Sequence, residues 1–187
     1  SKIEDEEHNV TEDRSNVVAA LYAQNQGKIE VIAGNGGINH IETSYNDLID
    51  DKESEDSERT IWAQRGGIIQ IKGTTIIKSS NAEDFYDEEG YATNSRGVAI
   101  TAGSGEIVAD IPDGVRSTVN LEYGPEVKID GETFKSAIYG DIVAGCGGWI
   151  NIKKAVNDGQ YGIDIQGNVL AANGGELTID LGQGGTW

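Results

Sequence analysis

The sequence predicts an all-β chain wound as a parallel β-helix, a solenoid of roughly nine coils with two acidic loop insertions. Three observations carry that expectation: one phrase recurs along the chain, apolar residues alternate after each copy, and glycine sits at each bend.

The phrase first reads LYAQNQGKIEV, from Leu21 to Val31, and returns as IWAQRGGIIQI, from Ile61 to Ile71. ITAGSGEIVADI follows from Ile100, IVAGCGGWINI from Ile142 and LAANGGELTI from Leu170. Each copy opens with Leu or Ile, any residue, then Ala, and continues through a glycine-containing turn into an alternating strand. The turn reads one residue shorter in the third and fifth copies. With starts at 21, 61, 100, 142 and 170, the unit is near 40 residues before it shortens. Units of this kind cannot bury their own apolar face and need a near-copy beside them.

Taken in order, residues 1–16 are a polar, acid-rich tail or edge, and the β-helix segment runs over 17–187. SNVVAALYA, from Ser15, reads as a strand because of its paired valines. In the first copy Leu21, Ala23, Ile29 and Val31 face inward, while Lys28 and Glu30 face water. Ile61, Ala63, Ile69 and Ile71 repeat this against Gln70 and Lys72. Ile100, Ala102 and Ile107 form the third inward set, and Ile142, Ala144, Ile150 and Ile152 the fourth. Leu170, Ala172, Leu177 and Ile179 form the fifth, opposite Thr178 and Asp180. The Ala of each copy forms a ladder in a tight corner, beside glycines that permit positive φ or close backbone approach.

A coil of about 20 residues makes the repeat two coils, with GTTIIKS, STVNLEYG and EVKIDG supplying the alternate ones. A sandwich is disfavoured because its strands have distinct neighbours and no reason to repeat. A four-stranded-blade propeller is disfavoured because only about four blades fit and the fifth copy follows too soon.

Two inserts, SYNDLIDDKESEDSER at 44–59 and NAEDFYDEE at 81–89, follow their strands at similar offsets and leave the stack on one side. Loops on a rigid scaffold often carry function, so Asp50, Asp51, Glu53, Asp84, Phe85 and Tyr86 are candidate ligand contacts. Outward aromatics Tyr22, Trp62 and Trp149 join them, since a sugar or peptide could lie along such rings; the alternative is that they pack across coils.

Composition narrows the chemistry. The 187 residues hold 32 Asp and Glu against 14 Lys and Arg, for a net charge of −18. That opposes nucleic-acid binding, which needs a basic face, and electrostatic adhesion to anionic lipid. No apolar run approaches a bilayer-spanning length. With one cysteine, Cys146, no internal disulfide forms, and its place in a glycine turn reads as filler. The absence of Met marks the chain as a piece of a longer one. Neither insert has a patterned calcium loop, so no metal and no cofactor are expected. His8 and His40 stand apart, Asp50 and Asp51 lie off the strands, and no serine or cysteine nucleophile signature occurs. The chain reads as no enzyme; a polysaccharide-acting β-helix would need paired carboxylates on adjacent strands.

IQGNVLAANGGELTIDLGQGGTW, from Ile165 to Trp187, resembles a coil type common near the end of bacterial type V autotransporter passenger domains. AIYGDIVAGCGGWINI and GVAITAGSGEI are similar, and the resemblance extends from about Val17 onward. It implies a right-handed parallel β-helix, export across the outer membrane, and display at the cell surface or release from it. It further implies a membrane β-barrel C-terminal to this segment, and adhesion to a host or bacterial cell-surface ligand, protein or glycan. A non-binding stalk is the first alternative.

Ile69→Asp places an unpaired charge inside the stack and is expected to cost at least about 3 kcal/mol. Gln70→Asp, on the opposite face, is expected to be nearly silent in the same urea-unfolding measurement; equal effects would refute the inward and outward assignment.

Overall fold

The structure, a computed structural model, describes residues 2–4, 10–13, 19–43, 59–79, 97–103, 115–155 and 159–187. Every regular element among them is a β-strand. Strands β1 (Lys2–Glu4) and β2 (Val10–Asp13) form an antiparallel pair of their own. There follow β3 (Leu21–Ala23), β4 (Lys28–Ile32) and β5 (Asn39–Glu42), then β6 (Arg59–Ala63), β7 (Ile68–Lys72) and β8 (Thr75–Lys78). Beyond these lie β9 (Val98–Ala102), β10 (Thr118–Tyr123), the hairpin β11 (Val127–Ile129) and β12 (Glu132–Phe134), and β13 (Ala137–Tyr139). The chain ends through β14 (Asp141–Ala144), β15 (Trp149–Lys154), β16 (Asp164–Gln166), β17 (Val169–Ala171) and β18 (Glu176–Ile179).

Three parallel sheets organise these strands. The first runs β3-β6-β9-β14-β17, the second β4-β7-β10-β15-β18 and the third β5-β8-β13-β16. The chain visits first, second and third sheet in constant rotation, each visit one place further along. That succession is compatible with a β-helix, and each rotation makes one layer.

The pairing corrects the expected coil count. Leu21 faces Ile61, Ile61 faces Ile100, and Ile100 faces Ile142. Successive copies of the phrase are therefore direct neighbours, with no alternate coil between them, and the first two sheets are five strands deep. The segments assigned to alternate coils go elsewhere: GTTIIKS supplies β8 of the third sheet, STVNLEYG supplies β10, and EVKIDG opens the separate hairpin.

Two further expectations change. Ile107 lies outside the described residues, and the second-sheet place in its layer is taken by β10, whose Val119 and Leu121 stack on Ile69 and Ile71. In the fifth copy the register places Val169 on Ile142 and Ala171 on Ala144, so Leu170 and Ala172 are not in the inward columns. Leu170 points outward and is 52% exposed. A one-residue slip reverses every side chain in a strand. With the correct alignment, the fifth turn is as long as the first, second and fourth.

The core is built of like-on-like columns. Ile61, Ile100 and Ile142 stack in one, Ala23, Ala63, Ala102 and Ala144 in another, and all are buried. Ile69, Val119 and Ile150, with Ile71, Leu121 and Ile152, fill the second sheet's inner side and are fully buried. Leu21, Ile29 and Val31 at one end, and Leu177 and Ile179 at the other, pack against this core while half-buried.

The third sheet adds a polar column that sequence alternation alone did not suggest. Buried Asn39 donates from Nδ2 to Thr75 Oγ1 and to the Lys72 carbonyl, each at 3.0 Å. The Thr75 amide donates to Ser136 Oγ at 3.1 Å. Pairing each buried polar atom avoids its desolvation penalty. Tyr123, wholly buried, donates its hydroxyl to the Asp180 carbonyl at 2.8 Å, and burial pushes its pKa up to about 12, with Asp180 and Tyr161 adding to the rise. Near the C-terminus, burial alone would raise the Asp164 carboxyl; hydrogen bonds from Lys135 and Thr186 outweigh it and hold the group below its ordinary range.

Corners between the first and second sheets share one geometry. The turns Gln24–Gly27, Gln64–Gly67, Gly145–Gly148 and Ala172–Gly175 each close with a fourth-residue amide donating to the first-residue carbonyl, at 2.8–2.9 Å. Both central residues have positive φ: 49° and 76° at Arg65 and Gly66, 44° and 72° at Cys146 and Gly147. This is the type I′ turn. In the later layers the fourth residue must be glycine for a different reason, close approach to the layer below. A Cβ on Gly67 would lie 2.1 Å from the Ala23 carbonyl oxygen, and one on Gly148 2.1 Å from that of Ala102.

Gly67→Ala and Gly148→Ala are accordingly expected to destabilise by more than about 2 kcal/mol, because backbone of the adjacent layer must move. Gly34→Ala, with nothing within 4 Å of its Cβ, should stay within about 1 kcal/mol of the parent. Equilibrium denaturation of the three variants checks the contrast.

Candidate functional site

Of the three aromatics singled out from sequence, two are occupied within the protein. Tyr22 and Trp62 are register partners on the outward side of the first sheet, ring centroids 4.9 Å apart and tilted 38°. The Tyr22 hydroxyl lies 2.8 Å from Oε1 of both Gln24 and Gln64. Burial raises the pKa of this phenol, against the opposing pull of Arg65 and Arg59. The Arg59 guanidinium sits 4.1 Å from the Trp62 ring centre, and the indole N–H reaches across one layer to the Gly103 carbonyl at 3.4 Å. Such a stack satisfies its own polar atoms and joins three layers. Thr101, next in that column, is buried, and its Oγ1 has no hydrogen-bond partner among the described residues.

Trp149 is different. It opens β15 on the outward side of the second sheet and is 42% exposed. Among the described residues its indole N–H has no partner, whereas those of Trp62 and Trp187 donate to the Gly103 and Gly167 carbonyls. Trp149 shares a column with Thr118 and Ile68, so a short residue stands between two large ones in consecutive layers. The resulting groove has a volume of about 460 Å³ and is completed by Gln26, Gly66, Val115 and Arg116. Ligand pockets are commonly of this size and mix apolar walls with a few polar groups.

Beside the groove, the first and second sheets of the third layer are joined through residues 103–117 rather than by a four-residue turn. After Gly103 the chain passes through residues 104–114, outside the described set, and rejoins the second sheet from Val115. Ser117 ties the returning segment to both neighbours: its Oγ accepts from the Gly66 amide at 3.0 Å, and its carbonyl from the Trp149 amide at 2.8 Å. Arg116 Nη1 contacts Glu176 Oε1 at 2.5 Å across the rim.

Beside the groove runs the next outward column, Glu30, Gln70, Asn120, Asn151 and Thr178. The two amide-bearing pairs of neighbours lie about 4.8 Å apart from layer to layer. Gln70, Asn120, Asn151 and Thr178 make no side-chain hydrogen bond to the protein among the described residues. Lys72 pairs with Glu30 and Lys153 with Glu122, both at 3.1 Å.

The other candidates do not gather here. Asp50, Asp51, Glu53, Asp84, Phe85, Tyr86 and His8 lie outside the described residues, as do 44–58 and 81–89. His40 Nε2 is 3.2 Å from its neighbour Glu42 on the third sheet. Cys146 is half-buried at the first central position of its turn, the place held by Asn25, Arg65 and Asn173 in other layers. No three His, Cys, Asp or Glu side chains among the described residues come close enough to share a metal ion. Ile68, Thr118, Arg116 and Asn120 were not anticipated; the only sequence signal for them was their outward phase in the alternation.

No protein-family model, no curated protein and no solved structure matches this chain.

Trp62→Ala is expected to lose about 2–4 kcal/mol of stability, through its stack and its tie to Gly103. Trp149→Ala should change stability by less than about 1 kcal/mol, as an exposed ring packs little. Paired thermal melts of the two variants decide whether the rings divide into packing and presenting roles.

Proposed function

We propose that this chain is a parallel β-helix segment of a bacterial adhesin, displayed at the cell surface or secreted, of the kind that forms the passenger of a type V autotransporter. The observation that carries the reading is the constant rotation through three parallel sheets with the same residue types in register. Parallel crossovers of this sort are right-handed in nearly all proteins, so the helix is right-handed, with five layers in the described part. Such a stack is a stiff spacer, because every layer is tied to the next by main-chain bonds. It holds outward side chains at fixed intervals, which suits repeated weak contacts to a surface ligand. Export would place the C-terminal continuation in an outer-membrane β-barrel.

A non-enzymatic role fits the outward side of the second sheet, which carries amides and ion pairs. Hydrolysis of a polysaccharide would call for paired carboxylates there. A bare stalk remains the second reading, favoured by the internal satisfaction of Tyr22 and Trp62.

Beads coated with the whole chain, applied to epithelial monolayers and to bacterial lawns, test the adhesin reading. Retention above that of uncoated beads is expected, lowered at least about threefold by Trp149→Ala combined with Arg116→Ser. Retention no better than uncoated beads on either surface would leave the stalk.

A further inference from the structure

We propose that the outward side of the second sheet binds a neutral glycan chain, with one sugar ring stacked on Trp149 in the groove and the chain continuing along Gln70, Asn120 and Asn151. This names a ligand class for the adhesin reading and rests on it for its biological setting. Its chemistry stands on four observations.

Charge comes first. The outward positions of β4, β7, β10, β15 and β18 hold Lys28, Lys72 and Lys153 against Glu30, Glu122 and Glu176, a net charge of zero in a chain carrying −18. Two lysine–glutamate pairs are formed, and Glu176 is held by Arg116. A field cancelled locally in this way draws neither a polyanion nor a basic peptide. A ligand without charge meets no opposing term.

The second observation is the state of Trp149. Its ring is exposed and its indole N–H is unpartnered among the described residues, unlike those of Trp62 and Trp187. A pyranose offers what this side chain lacks, a flat face of C–H bonds for the ring and rim hydroxyls for the N–H.

Third, Gln70, Asn120 and Asn151 each carry a donor and an acceptor that no group among the described residues uses. Hydroxyls are likewise both donor and acceptor, so a polyhydroxyl chain can satisfy successive amides without a fixed polarity. A peptide strand would instead seek an open sheet edge, and β7, β10 and β15 are paired on both sides.

Fourth, Ile68 and Trp149 flank the short Thr118, which shapes an indentation of about 460 Å³ rather than a flat surface. Seating one ring there sets the register for the rest.

An oligosaccharide array tests this with the whole chain. It carries neutral glucan, mannan, galactan and chitin fragments beside heparin and polygalacturonate; titration calorimetry follows on any fragment bound. At least one neutral fragment should bind, about tenfold more weakly to Trp149→Ala and at least about threefold more weakly to Asn120→Ala/Asn151→Ala. Trp149→Tyr should retain most of the affinity, and Tyr139→Ala, on the third sheet, all of it. Binding only to the anionic probes, to no neutral probe, or equally by parent and Trp149→Ala would overturn the proposal. Beads that adhere in a Trp149-dependent manner while every neutral fragment fails would sink the glycan and leave the adhesin reading standing.

Discussion

Main-chain hydrogen bonds between neighbouring parallel strands hold each layer about 4.8 Å from the next, and at that distance side chains in the same register position touch. Like must then stack on something that accepts like. The Ile61, Ile100 and Ile142 column and the Ala column beside it follow from this spacing. So does the polar column of the third sheet, where Asn39, Thr75 and Ser136 satisfy one another across layers. Main-chain carbonyls of Lys72 and Gly73 supply the remaining partners of Asn39 and Thr75.

The same spacing governs the corners. In four of the five layers a type I′ turn joins the first sheet to the second, and in three of these the last glycine, Gly67, Gly148 or Gly175, lies against the carbonyl of the alanine below. Any Cβ would invade that contact, so glycine is required even though its φ is not in the left-handed region. The central positions are more tolerant. Asn25, Arg65, Cys146 and Asn173 all accept positive φ, at a cost of about 1 kcal/mol for an ordinary side chain. That tolerance lets Cys146 occupy a turn position that other layers give to Asn or Arg.

Where the shared corner is missing, the surface changes character. In the third layer the chain departs after Gly103 and returns through Ser117, which bonds to the layers on either side. Stacking of the second sheet is preserved, and Val115 and Arg116 line its flank. The groove lies where the short Thr118 stands between Ile68 and Trp149. Regular packing thus supplies a frame, and a short residue between two large ones in one outward column supplies the concavity.

Much of this architecture was legible in the residues. Alternation separated Ile69 and Ile71 from Gln70 and Lys72 without ambiguity, and the recurrent Ala and Gly marked both the tight corner and its close approach. Other features were not legible. Copies 40 residues apart could have been adjacent or separated by another turn of chain, because sequence distance does not reveal how much chain leaves the stack between layers. VLAANGG admits two alignments one residue apart, and only pairing with Ile142 and Ala144 chose Val169 and Ala171 over Leu170 and Ala172. Tyr22, Trp62 and Trp149 looked alike as outward aromatics, yet partners from other layers occupy the first two and leave the third exposed. Periodicity along one strand determines which side chains point in or out; the identity of their neighbours depends on register between strands distant in sequence, which tertiary structure alone decides.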